Sequence, residues 1–371
     1  MMPVERIHIL HLIDTTGPGG AETVFTTLLR NLSSQRYQHT VVLRGEGWVA
    51  DTVREIGLEP FIIDSKGSFN LGYIATLLRL IRKNGITLIH AHLLGSNIYG
   101  ALAAFVSRVP MIATFHGGVD VASNERFLAT KFRLINIGAK AIVCVSRRLQ
   151  EELGSRSPLA PSKLRLIYNG VDPEKFQPRP SDALKVELGL PADAKIVISI
   201  GNIRPAKGYP YLVGAVAGVT SQDPSVHFVI VGHQRKDLFR ELEAQVKDTG
   251  VESNIHFLGF RGDVQDLLCQ ADAFLLPSTS EGFSISTVEA MMAGVPVVAT
   301  RSGGPEEILE HEKAGILVPV ADSPAISEAV LRVVRREIPD NMTVQARDEA
   351  EQRFSVKSML DHYEALYQEL V

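Results

Sequence analysis

Two glutamates stand eight positions apart in this 371-residue chain, Glu281 in a polar turn and Glu289 in the helix-like segment that follows it. The turn comes directly after an apolar run at 273–276 that reads as a buried strand. A helix that starts at the carboxyl end of parallel strands binds anions, because its leading amides lack intrahelical acceptors and its dipole is positive there. With a carboxylate on each side, such a site could hold two sets of sugar hydroxyls with a phosphate between them. For Glu289 a second reading stands beside the first: Ser286-Thr287-Val288-Glu289 has the spacing of a capping box, in which the carboxylate only caps its own helix. A second cluster, Gly201-Asn202-Ile203-Arg204-Pro205-Ala206-Lys207-Gly208, follows the apolar run 196–200. Glycines at both ends and two cations three apart make a cradle for a diphosphate, Arg204 supplying a fork of donors and Lys207 a mobile point charge. A solvated turn with a helix start at Pro205 is the plainer account of the same residues.

The elements that must position these groups follow from hydrophobic periodicity. Apolar runs at 7–13, 41–43, 61–63, 87–90, 111–115 and 141–145 read as strands, with helical patterns between them. Segment 124–137 is amphipathic, with Phe127, Leu128, Phe132 and Ile135 on one side and Arg126, Thr130 and Arg133 on the other. The stretch Pro-Glu-Lys-Phe-Gln-Pro-Arg-Pro at 173–180 breaks the pattern and reads as a linker. Alternation then restarts, with strands at 196–200, 226–231, 255–258, 273–276, 297–299 and 316–318. Repeated strand–helix alternation predicts parallel, doubly wound sheets, hence an α/β chain of two Rossmann-like domains. The last segment, 354–370, is helical, with Met359, Leu360, Tyr363, Leu366 and Tyr367 spaced at three and four.

Bulk properties narrow the partners. The chain is 45% hydrophobic and 22% charged with a net charge of −4, the balance of a soluble globular protein long enough for two cores. The charge is unevenly divided: residues 1–180 carry 21 Lys and Arg against 14 Asp and Glu, residues 181–371 carry 17 against 28. A basic first half points to an anionic partner, a membrane surface or a phosphorylated acceptor. These fit better than nucleic acid, which is not expected as a partner because no aromatic–basic binding motif is present; ordinary surface variation is the plainer account of the same asymmetry. Two cysteines, Cys144 and Cys269, give no disulfide framework, which suits a reducing cytoplasm. The opening residues do not read as a signal peptide, and no apolar stretch reaches the roughly 18 residues of a spanning helix.

Glu281-Gly282-Phe283, Glu289-Ala290-Met291, Gly294-x-Pro296-Val297-Val298-Ala299 and Gly303-Gly304 together resemble the signature of the retaining GT-B glycosyltransferases, most closely the GT4 family of glycosyl transferases group 1. The resemblance covers nearly the whole chain. It implies GT-B architecture, two doubly wound Rossmann-like domains facing an interdomain cleft: an acceptor-side domain at 1–175, onto which a helix at 355–371 crosses back, and a nucleotide-sugar domain at 176–354. It further implies that Glu281 contacts hydroxyls of the donor sugar, Glu289 the ribose, and the amides of Phe283, Ser284 and Ile285 the diphosphate. Arg204 and Lys207 would neutralise the departing nucleoside diphosphate.

The same resemblance extends to the first half. Gly17-Pro18-Gly19-Gly20-Ala21-Glu22 follows a strand and opens a helix, but Glu22 stands where a dinucleotide fingerprint needs its third glycine, and a plain turn would explain the loop too. It is similar to a GT4 element in which amides such as those of Gly19 and Gly20 lie near the donor phosphate. His116, before Gly117 and Gly118, is similar to the family's donor-sugar histidine, and His90 and His92 to a stretch on its acceptor side. The chain has no Asp-x-Asp pair of the kind that holds a divalent ion on a diphosphate, so catalysis without metal or other cofactor is expected. The expected activity is retaining hexosyl transfer from a nucleotide sugar, a UDP-sugar first and a GDP-sugar second. The acceptor would be a glycan or lipid-linked saccharide, as in polysaccharide biosynthesis, reached from the cytoplasm at the membrane's inner face. A GT-B epimerase or phosphorylase, or a non-catalytic nucleotide-sugar-binding protein, are the alternatives.

Overall fold

The computed structural model describes residues 6–64, 70–117, 125–177, 181–310 and 313–371. Pro178, Pro180, Gly118 and Asn124, named above, lie outside the described residues. The chain divides into two compact units, Met1–Gly170 with Val356–Val371, and Val171–Ser355.

The first unit is built on strands β1 (Ile7–Ile13), β2 (Tyr37–Leu43), β3 (Phe61–Ile62), β4 (Leu88–His92), β5 (Met111–Phe115), β6 (Ala141–Cys144) and β7 (Leu164–Leu166). Among the described residues they form one parallel sheet in the order β3-β2-β1-β4-β5-β6-β7. The second unit holds β8 (Lys195–Ile200), β9 (Val226–Val231), β10 (Ile255–Gly259), β11 (Ala273–Leu276), β12 (Val297–Thr300) and β13 (Ile316–Val318), again all parallel, in the order β10-β9-β8-β11-β12-β13. Helices cover both faces of such sheets, so central strands read as unbroken apolar runs; Phe274, Leu275, Val298 and Ala299 are each fully buried. In each sheet the strand order reverses once, between β1 and β4 and between β8 and β11. Ligands of open α/β sheets bind outside the carboxyl ends of the strands at that reversal.

Three local expectations change. The 173–180 stretch is not simply a spacer: Pro173–Phe176 forms a 3₁₀ turn, Phe176 is 4% exposed, and residues from Val171 onward pack with the second unit. Burial of one aromatic side chain fixes the turn there. The amphipathic helix runs over Leu128–Gly138, and Phe127, expected on the buried side, precedes it in the left-handed region with 69% of its surface exposed. Finally, β4 continues two residues beyond His90, which brings His92 into the sheet.

The helix Val356–Leu370 packs with the first unit. Tyr363 and Tyr367 are buried there, and the Tyr367 hydroxyl lies 2.9 Å from His90 Nδ1. At the surface Arg36 pairs with Glu364 at 2.8 Å, an exposed ion pair of small energetic weight.

Candidate active site

At the reversal point of the second sheet, the loop after β8 and the loop after β11 are joined backbone to backbone. Thr279 N donates to the Ala206 carbonyl at 2.8 Å. Gly208 adopts φ +64, and a Cβ there would collide with the Pro277 carbonyl oxygen, so only glycine allows both the left-handed turn and this approach. The buried Tyr209 hydroxyl donates to the Gly201 carbonyl at 2.6 Å, closing the other end of the loop. This scaffold sets Lys207 Nζ 2.7 Å from Glu281 Oε1, and the buried Ser278 hydroxyl donates to the same oxygen at 2.5 Å. Glu281 is also pinned through its backbone: its N–H donates to Ser302 O at 2.9 Å, and Gly304 N–H donates to its carbonyl at 3.2 Å. The Glu281 side chain keeps 9% of its surface accessible, so one edge still meets solvent.

Ser284 caps the helix Ile285–Met292, its Oγ accepting from Thr287 N at 3.3 Å. Glu289 is therefore the fifth helical residue, beyond the third-position reach of a capping carboxylate, and the capping-box reading fails. The reason is that Ser284, two residues before Ser286, takes the cap. Glu289 is partly buried; burial pushes its carboxyl up to about 7, opposed by the charge of Lys175. The first-turn amides at Ile285 and Ser286 have no intrahelical acceptors, as at any helix start. Phe283, 8% exposed, sets its ring 5.5 Å from that of Phe354 and anchors the turn ahead of the cap. Arg204 is exposed on the same loop as Lys207. The second unit thus gathers Arg204, Lys207, Glu281, the amides at 283–285 and Glu289 around one reversal point. A paired cation, an oriented carboxylate and a helix start with a carboxylate behind it suit a diphosphate flanked by hydroxyl-bearing rings.

Sequence reasoning missed Ser278 and Tyr209, which hold the carboxylate and the glycine loop. For Ser278 a signal existed in its position three before Glu281 at a strand end.

Gly19, Gly20 and His116 belong to the first unit, at the carboxyl edges of β1 and β5. Gly19 and Gly20 open the helix Gly20–Asn31, but the buried Glu22 side chain folds back over Gly19, where a Cβ would meet its Oε2 at 2.5 Å. An incoming phosphate meets a carboxylate there unless Glu22 turns away. His116 Nε2 lies 3.0 Å from His92 Nδ1. Burial lowers His116 to about 3, so its imidazole is neutral at physiological pH.

His90, expected on the acceptor side, has no ring nitrogen to spare for a ligand. It is fully buried, with Nδ1 2.9 Å from Tyr367 Oη and Nε2 2.9 Å from Thr114 Oγ1, so both ring nitrogens are spent inside the domain. His92 is equally buried. The two share one face of β4 because residues two apart on a strand do, and the alternation His90-x-His92 beside His11 carried that signal.

Known proteins resemble this chain throughout. The family described as "Glycosyl transferases group 1" matches residues 180–353, and "Glycosyltransferase Family 4" matches residues 18–175. The UDP-Gal:alpha-D-GlcNAc-diphosphoundecaprenol alpha-1,3-galactosyltransferase of Escherichia coli is 25% identical, with 99% of this chain and 98% of that protein aligned. The D-inositol 3-phosphate glycosyltransferase of Saccharomonospora viridis is 31% identical over 76% of this chain and 70% of its own length. Among solved structures, Anabaena Alr3699/HepE in complex with UDP and glucose superimposes with a TM-score of 0.88 at 26% identity, covering 98% of this chain and 100% of that one.

Proposed function

The chain belongs to the group 1 glycosyl transferases of family 4, glycosyltransferases with the two Rossmann-like domains of the GT-B fold, and from this we propose that it moves a hexose from a UDP-sugar to a glycan or lipid-linked saccharide with retention and without metal. The observation that carries the reading is the Lys207–Glu281 pair, set at 2.7 Å beside a helix start at the sheet's reversal point. The UDP held by the Anabaena protein supports UDP as the nucleotide, and the lipid-linked substrate in the name of the E. coli relative supports the acceptor class.

In this mechanism the diphosphate lies over the first turn of Ile285–Met292. Lys207 carries three donors, so it can bridge the Glu281 carboxylate and the leaving phosphate at once. Arg204 adds a second cation from the same loop. As the bond from the anomeric carbon to the phosphate oxygen breaks, these charges stabilise the leaving diphosphate. The acceptor hydroxyl forms its new bond on the same face, and its proton passes to the departing phosphate oxygen. No side chain attacks the sugar; Glu281 accepts donor-sugar hydroxyls and orients the ring. Glu289, ionised, accepts from the two ribose hydroxyls.

A lipid-linked acceptor would bring the basic first unit to an anionic membrane surface. Arg126, Phe127, Arg133, Ile137 and Lys140 are exposed along and beside the helix Leu128–Gly138. Among the described residues no helix is long and apolar enough to cross a membrane.

The test is nucleotide release from a panel of UDP-, GDP- and ADP-sugars, with the anomeric configuration of the product read by NMR. Release from a UDP-sugar with an unchanged anomer is expected. Turnover of none of the panel, or an inverted product, overturns the reading.

A further inference from the structure

The chain enters the second unit at Val171 and leaves it after Ser355. Inside that unit the two crossing segments lie side by side. Val171 N–H donates to the Phe354 carbonyl at 2.8 Å, and Val171 and Ser355 pair as a short parallel bridge. Phe354 also reaches the candidate nucleotide site of the same unit. Its ring is fully buried and meets that of Phe283 at 5.5 Å and 67°, an edge-to-face pair. Phe283 belongs to the turn whose amides, with those of Ser284 and Ile285, are read above as the diphosphate contact.

Both rings are held in place. The Phe283 backbone is backed by Gly304, where a Cβ would lie 2.9 Å from Phe283 Cα. Phe354 N–H closes the helix Met342–Arg353 by donating to Ala350 O at 2.8 Å, and the Arg353 guanidinium covers the Phe354 ring at 4.7 Å. Arg353 is held in turn by Glu310 and Glu349. A displacement of the turn at Phe283 therefore meets a fixed ring, and through the Phe354 carbonyl it is felt at Val171.

A second link runs from the first crossing. Val171 leads into the 3₁₀ turn Pro173–Phe176, which packs against the helix Ile285–Met292. Lys175 on that turn lies near enough to Glu289 for its charge to favour the ionised carboxylate. The leading turn of the helix and its glutamate are thus each tied to a crossing segment.

We propose that Phe354 is a positioning residue: its ring holds the diphosphate turn at Phe283 and its carbonyl ties that turn to Val171, so that a nucleoside diphosphate bound on the turn also fixes the segments by which the chain enters and leaves the second unit. The inference rests on the reading of residues 283–285 as the diphosphate contact. A site made of backbone amides binds well only when its turn is ordered beforehand, which is what the ring supplies. The coupling is reciprocal, so a well-ordered crossing also favours the bound nucleotide.

The experiment follows amide hydrogen exchange of the full chain, residue by residue, with and without saturating UDP. In wild type, UDP is expected to slow exchange at 283–285 and, by about tenfold, at Val171. Protection of 283–285 with Val171 unchanged overturns the coupling alone. UDP that leaves 283–285 unprotected, bound elsewhere or not at all, overturns the diphosphate reading beneath it. Phe354→Leu keeps an apolar side chain and the carbonyl but removes the ring contact. Its 283–285 amides are expected to remain protected by UDP while Val171 is not; protection of Val171 in this variant overturns the proposal. Phe283→Leu removes the same contact from the less buried side and carries the same reading should Phe354→Leu fail to fold. Calorimetric titration completes a double-mutant cycle. Each single variant is expected to bind UDP about fivefold more weakly, the worth of one aromatic pair, and the double variant no worse than either single. A double variant weakened by the product of the two single effects shows that the rings act independently and overturns the proposal.

Discussion

Lys207 Nζ and Glu281 Oε1, 74 residues apart in sequence, lie 2.7 Å from each other, and the Ser278 hydroxyl donates to the same oxygen. The pair sits where two loops of the second sheet are bonded through Ala206 and where Gly208 leaves no room for a side chain. An unliganded cation held by a carboxylate is pre-placed: it does not need to be ordered when a diphosphate arrives.

Lys207→Ala and Arg204→Ala should each lower turnover tenfold or more, about 1.4 kcal/mol of barrier per decade. Lys207→Ala should cost more, because it also leaves the Glu281 carboxylate without its counter-ion. Both residues lie in an exposed turn region, so the folded state should persist by circular dichroism. Wild-type turnover in both variants would remove the diphosphate role.

Glu289→Gln tests the ribose role of this carboxylate. Calorimetric titration with UDP should show affinity weakened by roughly 1.5–3 kcal/mol, since Gln presents an N–H donor where the ribose needs an acceptor. The folded pKa of Glu289, about 7, lies above its ordinary 4.5, so between these values the folded protein holds a proton that the unfolded chain has lost. Its contribution to stability therefore falls as pH rises through that window, by about 3 kcal/mol at most. The Gln variant should melt with wild type at pH 4.5 and above it at pH 8. Equal UDP affinity in the two proteins would return Glu289 to a structural role.

The buried histidines act with the opposite sign. His90 and His116 lie near 3 and His39 near 4 when folded, all lowered chiefly by burial. Unfolded, each takes a proton near 6.5, so their neutral burial contributes fully above that pH. The contribution fades as pH falls toward 4, by about 1.4 kcal/mol per pH unit per histidine. Urea denaturation at pH 7.5, 6.5 and 5.5 should show steadily falling stability of the first unit. A flat profile would mean that these rings are charged or exposed when folded.

Activity on the donor it accepts should survive excess EDTA if, as proposed, Lys207, Arg204 and a helix start take the place of a divalent ion on the diphosphate. Complete loss on chelation, regained with Mg²⁺ or Mn²⁺, would overturn the metal-independent reading.

Anionic vesicles should sediment the protein at low salt and release it at high salt. Between residues 94 and 150 the sequence has seven Lys and Arg against Asp120, Glu125 and none other before Glu151 at its border, and Glu125 is paired with Lys131. Each cation that reaches such a surface contributes about 1 kcal/mol. Phe127 and Ile137, 69% and 61% exposed, supply apolar contacts. No binding at low salt ends the idea.

Sequence by itself determined the two parallel sheets, because central strands buried on both faces must be unbroken apolar runs, as at 273–276 and 226–231. It also marked Glu281, Glu289, Arg204 and Lys207, since glycines, prolines and charges at strand ends are local features. What it left open were matters of distance along the chain. Ser284 rather than Ser286 caps the helix because the turn before it is fixed by Phe283 against Phe354. His90 became an anchor because Tyr367, 277 residues later, reaches its ring. Phe176 is buried in a stretch that reads as a spacer, and Phe127 is exposed in one that reads as core. Periodicity records which face of an element is apolar; which partner covers that face, and whether a polar ring finds its second hydrogen bond, is decided only when distant segments meet.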